Sequence, residues 1–160
     1  MTSPIAKLFG QTALYGLPSI IGRLLNYLLV PLYTAIFAKP ADYGVLSDLY
    51  AYVAFLIVLL PLGMETAYFR FIQNNDNPDR VFNNGFFSIV LLNATFFLML
   101  YLTNPWIAKW MLYKEHPEYI LLIGSIVCID AIAALPLAKL RAENQAKRFM
   151  TIQLSSILLN

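Results

Sequence analysis

The 160-residue chain has few charged residues. Only 12% are Asp, Glu, Lys or Arg and 59% are hydrophobic, whereas soluble domains have about 25% charged residues. Eleven basic and nine acidic side chains cannot cover the surface of a chain of this length, so most of that surface must face something other than water. This composition excludes an ordinary soluble domain and points to the lipid bilayer as the surrounding medium.

Residue types that carry common functions are also scarce. Cys128 and His116 are the only cysteine and histidine, which excludes a disulfide within the chain and a Cys/His metal site. The net charge of +2 comes without a dense Lys/Arg run, so no nucleic-acid surface is expected. No zinc-protease, phosphate-loop or Ser/His/Asp motif is present. We therefore predict no catalytic residue, no metal, no cofactor and no enzymatic activity.

Long apolar runs are present instead. The runs at about 11–37, 45–71, 81–102 and 119–138 can each cross the ~30 Å hydrocarbon layer as a helix. A fifth run begins at Phe149, and its residues up to Asn160 reach only ~18 Å. We predict an all-α integral membrane protein with four full transmembrane helices and a truncated fifth, 149–160. We interpret residues 1–160 as the first part of a longer protein.

The connections between these runs give the expected topology. Residues 38–44 and 74–80 are short and contain turn-forming Pro, Asp, Asn and Gly, so neighbouring helices should be antiparallel. Trp106, Trp110 and Tyr113 have i, i+4, i+7 spacing, which indicates a short helix at the membrane interface, with a functional lid as the alternative. A cytoplasmic N-terminus places seven Lys and Arg residues inside and three outside, namely Lys39, Lys109 and Lys114. This orientation is favoured because cytoplasmic loops carry an excess of Lys and Arg. The seven are Lys7, Arg70, Arg80, Lys139, Arg141, Lys147 and Arg148.

Arg23 lies midway along the first run, where an ionisable group needs a partner or a watery cavity. With Ser19, Asn26, Tyr27 and Thr34 it forms a polar stripe at helical spacing. Because guanidinium stays charged and binds phosphate bidentately, one interpretation is an anion site for a phosphate-bearing substrate. The alternative is a structural Arg–carboxylate pair.

Three further charged residues fall within or near the membrane. Asp130, in the fourth run, is expected at a depth close to that of Arg23, so the two could form a structural pair or a gate. Glu65 and Arg70 are five residues apart near the cytoplasmic end of the second run, which is not a favoured helical pair, so Glu65 needs another partner. Arg70 either reaches the head groups or contacts substrate from the cytoplasmic side.

Three stretches resemble the polysaccharide biosynthesis flippases of the O-antigen and capsule type. They are GRLLNYLLVPLYTAIF, ADYGVLSDLYAY with LGMETAYFRF, and LPLAKLRAENQAKRF. The resemblance extends to the superfamily that holds the lipid II flippase and the multidrug and toxin extruders. It implies 12–14 helices in two pseudo-symmetric lobes around a cavity that opens alternately to each side, with residues 1–160 forming most of the N-terminal lobe.

The function implied by this resemblance is transport of a polyprenyl-diphosphate-linked oligosaccharide across the bacterial inner membrane for surface polysaccharide, including lipopolysaccharide. Cavity arginines of the family hold the diphosphate, and Arg23 and Arg70 match them by position, with Asn26 and Tyr27 beside Arg23. Asp130 and Glu65 are candidates for gating or ion coupling. A polysaccharide polymerase or glycosyltransferases are possible partners. A cation-coupled multidrug exporter, using Asp130, and a small non-transporting subunit of a polysaccharide assembly complex are the alternatives.

Overall fold

The computed structural model describes residues 4–36, 40–73 and 77–159. This part of the chain contains helices and no strand. The helices are α1 (Pro4–Ile36), α2 (Pro40–Leu59), α3 (Met64–Gln73), α4 (Pro78–Trp110), α5 (Glu118–Ala142) and α6 (Ala146–Leu159). Phe37, Lys39 and Asn160, which belong to the predicted spans and connections, lie outside the described residues.

Four segments are long and apolar enough to cross a membrane. They are Thr12–Ile36, Gly44–Gln73, Pro78–Trp110 and Glu118–Ala142. Large apolar side chains are exposed along all of them, among them Ile20, Val58, Leu98 and Ile129. Such side chains are stable in lipid and costly in water. The prediction of an all-α, multi-pass membrane protein is confirmed.

The second span is not one continuous helix, as 45–71 was expected to be. It consists of α2 and α3, separated by a turn in which Leu62 and Gly63 have φ values of 46° and 65°. Pro61 precedes them, and the Met64 backbone N–H donates to the Pro61 carbonyl at 2.9 Å. The left-handed backbone at two successive residues ends α2 before α3 begins at Met64.

The prediction of a separate interfacial helix around Trp106 is wrong. α4 continues through Pro105 to Trp110, so Trp106 and Trp110 belong to its last turns, and Tyr113 lies beyond its end. The two tryptophan side chains are 81% and 79% exposed, as expected of aromatic residues at a membrane interface. Polar Thr103 does not interrupt the helix, because its hydroxyl donates to the Met99 carbonyl at 2.7 Å.

Local sequence explains where α4 begins and where α5 ends. Asn77 caps α4 by accepting a hydrogen bond from the Arg80 backbone N–H at 3.2 Å, and Pro78 follows at the first helical position, where its missing N–H costs nothing. At the end of α5, Asn144 has φ of 57°, and the Gln145 N–H donates to the Leu140 carbonyl at 2.8 Å. These bonds satisfy the last carbonyls of α5 before α6 starts.

The described residues form two compact units. One contains residues up to 46 together with those from 140 onward. In it α1 packs against α6: the Tyr15 and Phe149 rings meet edge to face at 5.2 Å between centroids, and a Cβ on Gly22 would lie 3.6 Å from Ile157 Cδ1. The lack of a side chain at Gly22 therefore permits close approach of the two helices.

The second unit contains residues 47–139. Its core is formed by Leu60, Val127, Cys128 and Ala131, surrounded by partly buried side chains of α2, α4 and α5: Val53, Leu56, Phe96, Phe97 and Ile123. Gly124 of α5 faces Leu100 and Phe97 of α4. The fully buried Asn93 donates from Nδ2 to the carbonyl of Ile89 in its own helix at 2.9 Å, which reduces the cost of a polar group in this apolar core.

Candidate substrate-contacting residues

Arg23 lies near the middle of the first span. Thr12 and Ile36 bound that span, which places Arg23 about 17 Å from one end and about 20 Å from the other along the axis. Its side chain is exposed. No ion pair or hydrogen bond of the guanidinium is found within the described residues. A permanently charged group at this position is therefore available to an anionic ligand.

The rest of the predicted polar stripe follows the same helix. Ser19, Tyr27 and Thr34 are exposed, and the Thr34 hydroxyl donates to the Pro31 carbonyl at 2.9 Å. Asn26 lies in α1, but its side chain is outside the part that the structure describes. Tyr15 and Gly22 face α6, whereas Arg23 and Tyr27 are rotated away from Gly22 by roughly 100° and 140°. Arg23 and Tyr27 thus lie on a side of α1 that α6 does not cover.

Glu65 and Arg70 occupy opposite ends of the short helix α3. Glu65 is in its first turn and Arg70 in its last turn. An acidic residue at the N-terminus and a basic residue at the C-terminus both stabilise the helix dipole. This role depends on the break before Met64, which was not expected from the sequence. Arg70 is exposed, and its side chain has no ion pair or hydrogen bond within the described residues.

Asp130 lies in the middle of α5, on an exposed face. Ile126 and Ile129, which share this face by helical spacing, are 55% and 65% exposed, and Asp130 is exposed as well. A carboxylate among exposed isoleucines would be costly in hydrocarbon. Asp130 and Arg23 belong to different units, so their pairing stays a prediction.

Two polar contacts join helices at the ends of the second unit, and the sequence reasoning missed both. Lys139 Nζ lies 2.8 Å from Asp79 Oδ1 and 4.5 Å from the centroid of the Phe82 ring, which links α5 to the first turns of α4. The Tyr113 hydroxyl donates to Asp48 Oδ2 at 2.9 Å. The partners are 60 and 65 residues apart, so no local spacing indicates them.

No cluster of three or more His, Cys, Asp or Glu side chains suited to a metal ion occurs in the described part of the chain. The candidate residues are two exposed arginines, an asparagine, a tyrosine and two carboxylates, distributed over α1, α3 and α5. Among them only Glu65 and Arg70 share one helix of the second unit, and only Arg23, Asn26 and Tyr27 share α1.

The fold and these residues define a multi-pass integral membrane protein with charged side chains at membrane depth. The sequence model of a family described as polysaccharide biosynthesis protein matches residues 34–160, most of the chain. The chain belongs to this family, and its role lies in polysaccharide biosynthesis. The matched region contains Glu65, Arg70 and Asp130, whereas Arg23, Asn26 and Tyr27 precede it. No curated protein and no solved structure gives a significant match.

Proposed function

We propose that this protein transports a polyprenyl-diphosphate-linked oligosaccharide across the bacterial inner membrane by alternating access. The chain contributes most of the N-terminal lobe of a two-lobed flippase, with its N-terminus in the cytoplasm. The lobe holds the diphosphate while the saccharide moves from the cytoplasmic to the outer leaflet. Membership of a polysaccharide biosynthesis family and the four candidate membrane spans support this proposal.

The observation that carries the proposal is Arg23 at mid-span. A guanidinium on an exposed helix face in hydrocarbon is unstable without a ligand, a partner or water. A diphosphate supplies two adjacent anionic groups that match its planar donors. Asn26 and Tyr27 follow on the same helix and add hydrogen-bond donors. Arg70, near the cytoplasmic end of the second span, receives the diphosphate first.

Asp130 and Glu65 are assigned to gating or ion coupling. A carboxylate can take up a proton or a cation when the diphosphate binds, which couples substrate binding to a change of state. A polysaccharide polymerase or glycosyltransferases would act on the saccharide before or after its transfer. Neither gating nor ion coupling by these carboxylates requires a cofactor.

Replacement of Arg23 in the full-length protein tests the proposal. We expect Arg23→Ala to lower surface polysaccharide at least about tenfold, since hydrogen bonds to charged groups contribute about 1.5–3 kcal/mol, and to leave lipid-linked precursor in the cytoplasmic leaflet. Arg23→Lys should retain part of the activity, because it keeps the charge and loses the bidentate geometry. Leu24→Ala, at the adjacent exposed position, is the matched control. Normal polysaccharide in Arg23→Ala at equal protein level would remove Arg23 from the site.

Cation-coupled drug export is the second candidate function. It is favoured by Asp130, the one acidic residue within α5 beyond its first turn, on a face formed otherwise by isoleucines. In that case Asp130→Asn should raise susceptibility to cationic drugs and leave surface polysaccharide unchanged. Loss of polysaccharide without a change in drug susceptibility would instead support the flippase.

A further inference from the structure

The second unit contains a cavity of about 320 Å³ between α3, α4 and α5. α3 and α4 each contribute four residues at i, i+3, i+4 and i+7, so one stripe of α3 faces one stripe of α4. Leu135 of α5 completes the lining. The residues are Met64, Ala67, Tyr68 and Phe71 from α3 and Val81, Asn84, Gly85 and Ser88 from α4.

Small residues create this space. A Cβ on Gly85 would lie 3.2 Å from Leu135 Cδ2 and 3.6 Å from Met64 Cε, so a larger residue at position 85 would fill the cavity floor. Ala67 of α3, which lines the same cavity, also has a small side chain. The volume lies at the lower end of the ~300–1,000 Å³ range of small-molecule sites, enough for one ring of a larger ligand.

The lining combines hydrogen-bonding groups with aromatic walls. The Asn84 side-chain amide makes no hydrogen bond within the described residues, and it offers two donors and an acceptor. The Ser88 hydroxyl donates to the Asn84 carbonyl at 2.8 Å and keeps its acceptor capacity. These residues lie about 9 and 15 Å beyond Pro78 along α4. At that depth, polar groups in contact with lipid would lack partners.

Tyr68 and Phe71 supply the apolar part of the lining. Tyr68 is buried and Phe71 is 59% exposed, so one ring lies inside and the other near the opening. A sugar ring has hydroxyl groups at its edge and C–H groups on its faces, which complement an amide and an aromatic ring.

A second cavity of about 270 Å³ has a lining made mainly of aliphatic and aromatic residues, among them Leu56, Phe96 and Ile123. That cavity suits a hydrocarbon chain better than a sugar.

Arg70 does not line the first cavity, but it belongs to the same helix, α3, as four of the lining residues. It follows Ala67 by three residues, one turn further along α3, and is exposed. We propose that this cavity binds one sugar ring of the lipid-linked oligosaccharide, next to a diphosphate held at Arg70. This assignment rests on the proposed function and adds to it a saccharide-recognising pocket within the second unit, separate from Arg23.

Two neighbouring asparagines allow a matched test. Asn83 and Asn84 are both exposed, but only Asn84 lines the cavity. With the full-length protein in proteoliposomes and lipid-linked oligosaccharide extracted from the producing cells, we expect Asn84→Leu to raise the substrate concentration for half-maximal transport about tenfold. Asn84→Gln should restore part of the affinity, and Asn83→Leu should resemble the wild type. Equal effects of Asn83→Leu and Asn84→Leu, or no effect of Asn84→Leu, would overturn the proposal.

Photo-crosslinking in the producing cells identifies the occupant directly. A benzoylphenylalanine at Ser88 should capture a sugar-bearing lipid, whereas one at the adjacent, 69% exposed Phe87 should capture phospholipid. Phospholipid alone at Ser88, or equal sugar capture at both positions, contradicts the sugar pocket. If Arg23→Ala still abolishes polysaccharide in that case, the flippase proposal stands and only the pocket fails. If Arg23→Ala has no effect and no sugar is captured, both the Arg23 site and the sugar pocket fail.

Discussion

At the scale of single residues, Tyr113 fixes the connection between α4 and α5. Its hydroxyl donates to Asp48 Oδ2 at 2.9 Å, which joins this connection to α2. Burial, followed by the hydrogen bond to the Asp48 carboxylate, raises the pKa of Tyr113 from 10.0 to about 12. The neutral phenol is the donor, so the folded protein favours the protonated form.

Replacement of Tyr113 by phenylalanine removes this bond. We expect a loss of about 1 kcal/mol in the free energy of unfolding at neutral pH. Because the folded-state pKa lies above the unfolded value, the contribution is complete below pH 10 and is lost as the pH rises through about 12. Thermal unfolding of both proteins in detergent at stepped pH measures the difference. A difference that stays constant across this window would contradict the assignment.

Asp48→Asn is the companion variant, since it keeps an acceptor and removes the charge. The pKa of Tyr113 should then fall towards its ordinary value in an absorbance titration of tyrosine, with Tyr113→Phe as the reference that identifies the signal. No local pattern predicts this contact, because its partners are 65 residues apart.

Arg23 was predictable in one respect and not in another. Its depth and its polar stripe depend only on residue order within one helix, and the structure places Arg23, Tyr27 and Thr34 on an exposed side of α1. The partner of Arg23 depends on contacts between helices distant in sequence. Hydropathy contains no information on such contacts, so the sequence does not predict the partner of Arg23.

At the scale of elements, the break between α2 and α3 is the main departure from the predicted spans. Pro61, Leu62 and Gly63 are a turn signal, but they sit between apolar residues, so a hydropathy window does not register the break. The opposite error occurred at Thr103, Asn104 and Pro105, because the third span was predicted to end at 102. α4 passes through them because Asn104 is buried and Thr103 bonds to its own helix.

Gly63 has φ of 65°, and a Cβ there would meet nothing within 4 Å. Any cost of Gly63→Ala is therefore conformational, about 1–2 kcal/mol for a left-handed residue with a Cβ, and we expect a lower Tm in detergent. Gly44→Ala is the matched control, because Gly44 lies in helix α2 with equally open space. There alanine should raise stability by about 0.5–1 kcal/mol. Equal Tm values for the two variants would mean that the turn is not held in this conformation.

At the scale of the whole molecule, the four spans determine on which side of the membrane each connection lies. We predict that successive spans cross in alternating directions, because the connections between them are short. The excess of Lys and Arg near 70–80 and 139–148 favours a cytoplasmic position for those ends. On this prediction the connection at 111–117 faces outward and the one at 143–145 inward, because the fourth span lies between them.

Labelling of two glutamate positions tests both the orientation and the fourth span. Glu115 and Glu143 are exposed, and replacing either by cysteine leaves the count of basic residues unchanged. The native Cys128 is buried, so the background should be low. An impermeant maleimide should label Glu115→Cys in intact cells and Glu143→Cys only after lysis. The reverse pattern would invert the topology. Labelling of both from one side would mean that α5 does not cross the membrane, and neither the arginine site nor the sugar pocket would then have the depth on which the transport mechanism depends.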